Sequence, residues 1–192
     1  APTTCTRCSC SNASSSSTTY TLSLADVSAT GGGTDYTSTL TSAAFSNGVT
    51  LAAGIITVPA GVTSFTVTVP TTADTIDEAN ETYTLSVGAA SGTGTINDDD
   101  AAPTIQSVTA ATQVEGTALV HTVTLTNASS SSTSFAYTLG GGSATGGGTD
   151  YTTPVGYVTI AAGSNTGTLT LNTIADQFDD PGTTETVVVN LS

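Results

Sequence analysis

One phrase is written twice in this chain, and its spacing limits what the chain can fold into. Asn12-Ala-Ser-Ser-Ser-Ser-Thr begins a stretch that runs to Ala29-Thr-Gly-Gly-Gly-Thr-Asp35-Tyr36-Thr. Asn127-Ala-Ser-Ser-Ser-Ser-Thr begins another that runs to Ala144-Thr-Gly-Gly-Gly-Thr-Asp150-Tyr151-Thr, 115 residues further on. This period is too long for a solenoid unit. It predicts tandem domains of roughly 90–115 residues, each burying its own core. The boundary is expected at the Asn97-Asp-Asp-Asp-Ala-Ala-Pro103 linker, giving domains at 1–100 and 101–192. Copies of one small domain usually serve to span distance or present surface.

Thr and Ser dominate, interleaved with Val, Ile, Leu, Tyr and Phe, and β-branched side chains suit a pleated surface. Alternating runs lie at 18–24, 55–58, 64–69, 82–87 and 92–96, then at 118–125, 134–139, 157–160, 167–171 and 186–191. Thr–x–Thr alternation puts hydroxyls on a wet face and Val, Leu or Tyr on a core face. No apolar stripe of helical period appears. The chain reads as all-β, with two stacked antiparallel sheets in each unit.

The two copies are out of phase. Residues 103–108 and the Gln113-Val-Glu115-Gly turn precede Asn127, whereas only eleven residues precede Asn12. The first copy ends on Gly92-Thr-Gly-Thr-Ile-Asn-Asp-Asp-Asp, and the second stops at Ser192 before any such run. The first unit is therefore expected to lack its opening strand and the second its closing strand. The segment at 5–12 is expected to pair as a strand. Either the chain is a window of a longer array, or neighbouring chains supply what is missing. The first copy also carries about 13 additional residues between Asp35 and Val58, including Phe45-Ser-Asn-Gly48, which read as an added hairpin or loop.

The chain has one cation, Arg7, apart from His121, and 15 acidic residues, for a net charge of −14. Phosphate backbones need cationic partners, so nucleic acid is excluded as a partner. No run is long and apolar enough for a membrane span. With only 8% charged residues, the chain still has enough apolar content for a core.

The acids collect where strands end: Asp35, Asp74, Asp77, Glu78, Glu81, Asp98, Asp99 and Asp100 in the first unit. In the second they are Glu115, Asp150, Asp176, Asp179, Asp180 and Glu185. Ca²⁺ takes six to eight hard oxygens, and several loop carboxylates at one end of a sandwich supply them. Ordinary solvated acidic loops would give the same composition, and both readings stand.

Gly33-Thr-Asp35-Tyr36, Thr75-Ile-Asp77-Glu78-Ala-Asn-Glu81-Thr, Gly94-Thr-Ile-Asn-Asp98-Asp99-Asp100 and Ile160-Ala-Ala-Gly163 resemble the Calx-beta family and its relatives in giant bacterial surface adhesins. The resemblance implies a tandem pair of immunoglobulin-like sandwiches with Ca²⁺ near the linker. Carried over by position, the acids named above become the ligands. The first unit has no counterpart of Glu115, and the second has no terminal Asp triplet.

Cys5, Cys8 and Cys10 form Cys-x-x-Cys-x-Cys without a nearby fourth ligand for zinc. The 115-residue shift puts Cys8 and Cys10 on Val123 and Leu125, so small buried hydrophobes is the favoured reading, with a disulfide and then a metal behind it. His121 lies in a strand pattern and reads as structural. No nucleophile–His–acid set is formed, and Trp, a common sugar platform, is absent. The glycine triplets lack the Lys of a phosphate loop.

No enzyme is expected. The leading reading is an extracellular structural or adhesive repeat module, stiffened by Ca²⁺, in a bacterial cell-surface adhesin or fibre. Its partners are further copies of itself or neighbouring repeats of a longer chain. The alternative is a self-assembling extracellular filament subunit completed by strand donation between chains.

Overall fold

The computed structural model describes residues 3–152, 156–175 and 184–192. Their regular structure is β-strand, with one 3-10 turn at Ser42–Ala44. The first strands are β1 (Thr3–Ser9), β2 (Thr18–Asp26), β3 (Thr50–Ala52), β4 (Ile55–Val58), β5 (Ser64–Pro70), β6 (Ile76–Asp77), β7 (Glu81–Val87) and β8 (Ala90–Ile96). The rest are β9 (Ile105–Val108), β10 (Leu119–Leu125), β11 (Ala128–Ser129), β12 (Thr133–Gly140), β13 (Tyr157–Ile160), β14 (Thr166–Leu171) and β15 (Val188–Leu191). The chain forms two compact units, Ala1–Asp74 with Ala79–Asp99, and Thr75–Glu78 with Asp100–Ser192.

In the first unit β1 pairs with β5, and a five-stranded sheet runs β3-β4-β2-β7-β8. Period-2 patterning drives this. Along β5, Phe65, Val67 and Val69 are buried while the intervening Ser and Thr are half-buried. Ile56, Val58, Tyr83 and Leu85 of the other sheet complete the core. Tyr36 stacks on Tyr83 with centroids 4.7 Å apart, which contributes about 0.5–1.5 kcal/mol beyond burial. Gly94 of β8 makes room for that ring, since a Cβ there would sit 2.2 Å from Tyr83 Cζ.

The additional residues of the first copy form both a turn and a strand. Phe45 bridges to Val67, Val49 is buried, and β3 joins β4 through Ala53 and Gly54. Both turn residues have positive φ, 50° and 76°, as a two-residue type I′ hairpin requires.

The second unit repeats the scheme with sheets β14-β10-β9, β13-β12-β15 and the short parallel pair β11-β6. Register is conserved through the 115-residue shift. Thr18 faces Val58 as Thr133 faces Ile160, and Leu24 faces Leu85 as Leu139 faces Val189. Among the described residues a core cluster is centred on Val123, Leu125, Val158 and Ile160. His121 is buried in β10, and its Nδ1 lies 2.7 Å from the Thr109 carbonyl. A carbonyl only accepts, so Nδ1 carries the proton and the imidazole is a structural tie.

Candidate metal site

The Gly-rich loop at 29–37 is closed by its aspartate. Thr30 N–H donates to Asp35 Oδ2 at 2.6 Å, and Asp35 N–H donates back to the Thr30 carbonyl at 3.0 Å. Gly33 N–H reaches the Tyr36 carbonyl at 3.0 Å, and Thr72 N–H the Asp35 carbonyl at 2.9 Å. The second unit builds the same loop bond for bond. Thr145 N–H donates to Asp150 Oδ2 at 2.5 Å, Asp150 N–H to Thr145 at 3.0 Å, and Ile174 N–H to Asp150 at 2.9 Å. Short polar side chains that satisfy nearby backbone groups fix such turns. Asp35 and Asp150 therefore have a loop-holding role whether or not a metal is present.

One further acid supports the first loop. Asp26 Oδ1 accepts from Tyr36 Oη at 2.5 Å and from Gly31 N–H at 2.9 Å. These two bonds hold the Asp26 carboxyl below its ordinary range. Tyr36 is pushed up to about 12, first by burial and then by the Asp26 carboxylate. The sequence reading did not single out Asp26. The repeat gives no signal there, because Gly141 occupies the equivalent place.

Asp35 and Glu81 of the first unit each bring one carboxylate oxygen within 4.8 Å of the other, both half-buried. Asp35 comes from the Gly-rich loop, and Glu81 opens β7. The other expected ligands are not part of this pair; Glu78 is half-buried and belongs to the second unit. Asp74 is exposed and Asp77 half-buried in β6. Asp98 and Asp100 are half-buried and Asp99 exposed, with Asp98 N–H held by Asn80 Oδ1 at 3.0 Å. Glu115 and Glu185 are exposed, and Asp150 is half-buried in its own loop. Asp176, Asp179 and Asp180 lie outside the described residues.

Two close carboxylates repel one another unless a cation joins them. Their donor set is all hard oxygen, which fits Ca²⁺ and supplies a share of its six to eight ligands. The three cysteines are free thiols, Cys5 exposed and Cys8 packed against the first core. Burial, then the neighbouring Cys10, pushes the Cys8 thiol up.

The Calx-beta domain profile matches the chain at residues 8–60, 50–111 and 97–192. The chain belongs to the Calx-beta family. Calx-beta domains are non-catalytic β-sandwich modules known for Ca²⁺ binding. The crystal structure of CBD12 from CALX1.2 is similar over 90% of this chain and 70% of that one, at 15% identity and a TM-score of 0.41. No curated protein matches the chain. Among the described residues no helix is long and apolar enough to cross a membrane.

Proposed function

We propose that this Calx-beta chain is an extracellular structural repeat module, part of a bacterial cell-surface adhesin or fibre, and that Ca²⁺ at Asp35 and Glu81 stiffens it. The convergence of two carboxylate oxygens within 4.8 Å carries the calcium part. Membership of a non-catalytic family and a net charge of −14 support a binding and spanning role. Calorimetric titration of Ca²⁺ into the chain tests the site. Heat should appear with the native chain and vanish in Glu81→Gln. No heat with the native chain would sink the calcium reading.

A second reading is an extracellular filament subunit completed by strand donation between chains. It is favoured by β1, whose only partner among the described residues is β5. The mass of the native polypeptide separates the two, a giant array in one case and many short copies in the other.

A further inference from the structure

In the second unit one edge of β10 is covered. β9 pairs with it antiparallel, Val108 opposite Val123, Ser107 opposite Thr124 and Ile105 opposite Leu125. Thr109 N–H donates to the Thr122 carbonyl at 2.9 Å, and Thr122 N–H donates to Thr109 Oγ1 at 2.8 Å. Thr126 N–H donates to the Thr104 carbonyl at 3.0 Å. Backbone groups alternate in direction along a strand, so Thr122, Thr124 and Thr126 all turn theirs toward β9. Ile105 and Val108 pack against the core that holds Val123 and Leu125.

β1 is the counterpart of β10. Thr4 faces Val69 and Thr6 faces Val67, as Leu119 faces Leu171 and His121 faces Leu169. The 115-residue shift turns Thr122, Thr124 and Thr126 into Arg7, Ser9 and Ser11. It turns Val123 and Leu125 into Cys8 and Cys10. Among the described residues no strand pairs with this edge of β1. A groove of about 410 Å³ lies there instead, lined by β1 from Thr6 onward and, across from it, by Tyr20, Leu85, Val87 and Ala90. An open edge beside a groove with apolar side chains on its far wall is a template for strand addition.

We propose that this groove is a β-strand acceptor, and that its occupant is a β9-type strand carried by the linker of a neighbouring repeat. The chemistry of that strand is set by β9: uncharged, hydroxyl-bearing, with branched aliphatic residues spaced as Ile105 and Val108 are. Main-chain groups of Arg7, Ser9 and Ser11 complete the ladder, and the two aliphatic side chains fix the register. Cys8 and Cys10 are smaller than Val123 and Leu125, which leaves volume for the incoming side chains. The proposal rests on the repeat-module reading, but its readout contains no calcium, so the two can fail separately.

The test titrates the full chain with a synthetic peptide of residues 101–110, in chelator. Amide exchange at Arg7, Ser9 and Ser11 is followed together with alkylation of the thiols. Exchange at the three amides should slow by about tenfold or more, and alkylation should slow at Cys8 and Cys10 but not at Cys5. A peptide with Ile105→Asn and Val108→Asn should protect nothing. A second protein carries residues 101–118 fused directly ahead of Thr4, which reproduces the spacing between β9 and β10. It should show the same protection without added peptide. If neither the peptide nor the fusion protects these amides, or if the Asn-bearing peptide protects them equally, the proposal is overturned. Self-association of the unextended chain with the same amides protected would overturn the linker strand as occupant in favour of a second copy.

Discussion

Tyr36 is fully buried, yet its hydroxyl ends on a carboxylate. The ring stacks on Tyr83 while Asp26 takes the proton of the hydroxyl into a short bond. Tyr36→Phe keeps the ring and removes the bond, and should cost about 1–2 kcal/mol in urea unfolding. In the same variant the Asp26 carboxyl should titrate closer to its ordinary value by NMR. The wild-type pH profile follows from the two shifts. Asp26 is lowered on folding, so its contribution is complete above the unfolded value of about 4 and is lost as pH falls through the folded one. Tyr36 is raised, so its contribution is complete below about 10 and is lost as pH rises through about 12. Melts run from acid to alkali should show both edges, with the alkaline one reduced in Tyr36→Phe. At this scale the sequence was readable where the repeat spoke twice: Asp35 and Asp150 stand in matching loops. Asp26 was not readable, because its partner lies ten residues away and its repeat position is a glycine.

Among elements, β8 is the most tightly constrained by a single atom. A methyl on Gly94 would overlap the Tyr83 ring, whereas one on Gly92 would meet nothing nearer than Thr6 Cγ2 at 4.0 Å. Gly94→Ala should therefore cost about 2 kcal/mol through overpacking, and Gly92→Ala should stay within about 0.5 kcal/mol. Denaturant midpoints of the two variants, compared at equal m-value, decide it. The long strands were legible because Thr alternates with aliphatic residues over five or more positions. β3, β6 and β11 were not, since two or three residues carry no period. Their pairings come from the turn at Ala53 and Gly54 and from tertiary contact, neither of which composition encodes.

For the whole molecule, a charge of −14 sets the balance between repulsion and cation binding. Without calcium, the Glu81→Gln variant should melt higher than the native chain, because a like charge is removed from beside Asp35. With calcium at about 100 times its dissociation constant, the native chain should gain about 2.7 kcal/mol and the variant almost nothing. Scanning calorimetry with and without chelator gives both numbers; a native chain indifferent to calcium contradicts the site. The sequence made the tandem organisation and the family legible, because both rest on repeated or contiguous residues. It did not say which acids meet, since Asp35 and Glu81 are brought together by folding across 46 positions.

The pairing of β1 with β5 has a consequence for digestion. Enzymes that cut after Lys or Arg find one target in the entire sequence, the bond following Arg7. That bond lies inside β1, with Arg7 opposite Thr66 and Cys8 opposite Phe65. A protease needs an extended, unpaired segment, so cleavage waits for β1 to leave its sheet. Trypsin thus becomes a clock for one local opening. Whatever seats itself along the far edge of β1 should slow that clock, and the rest of the chain should pass through the protease uncut.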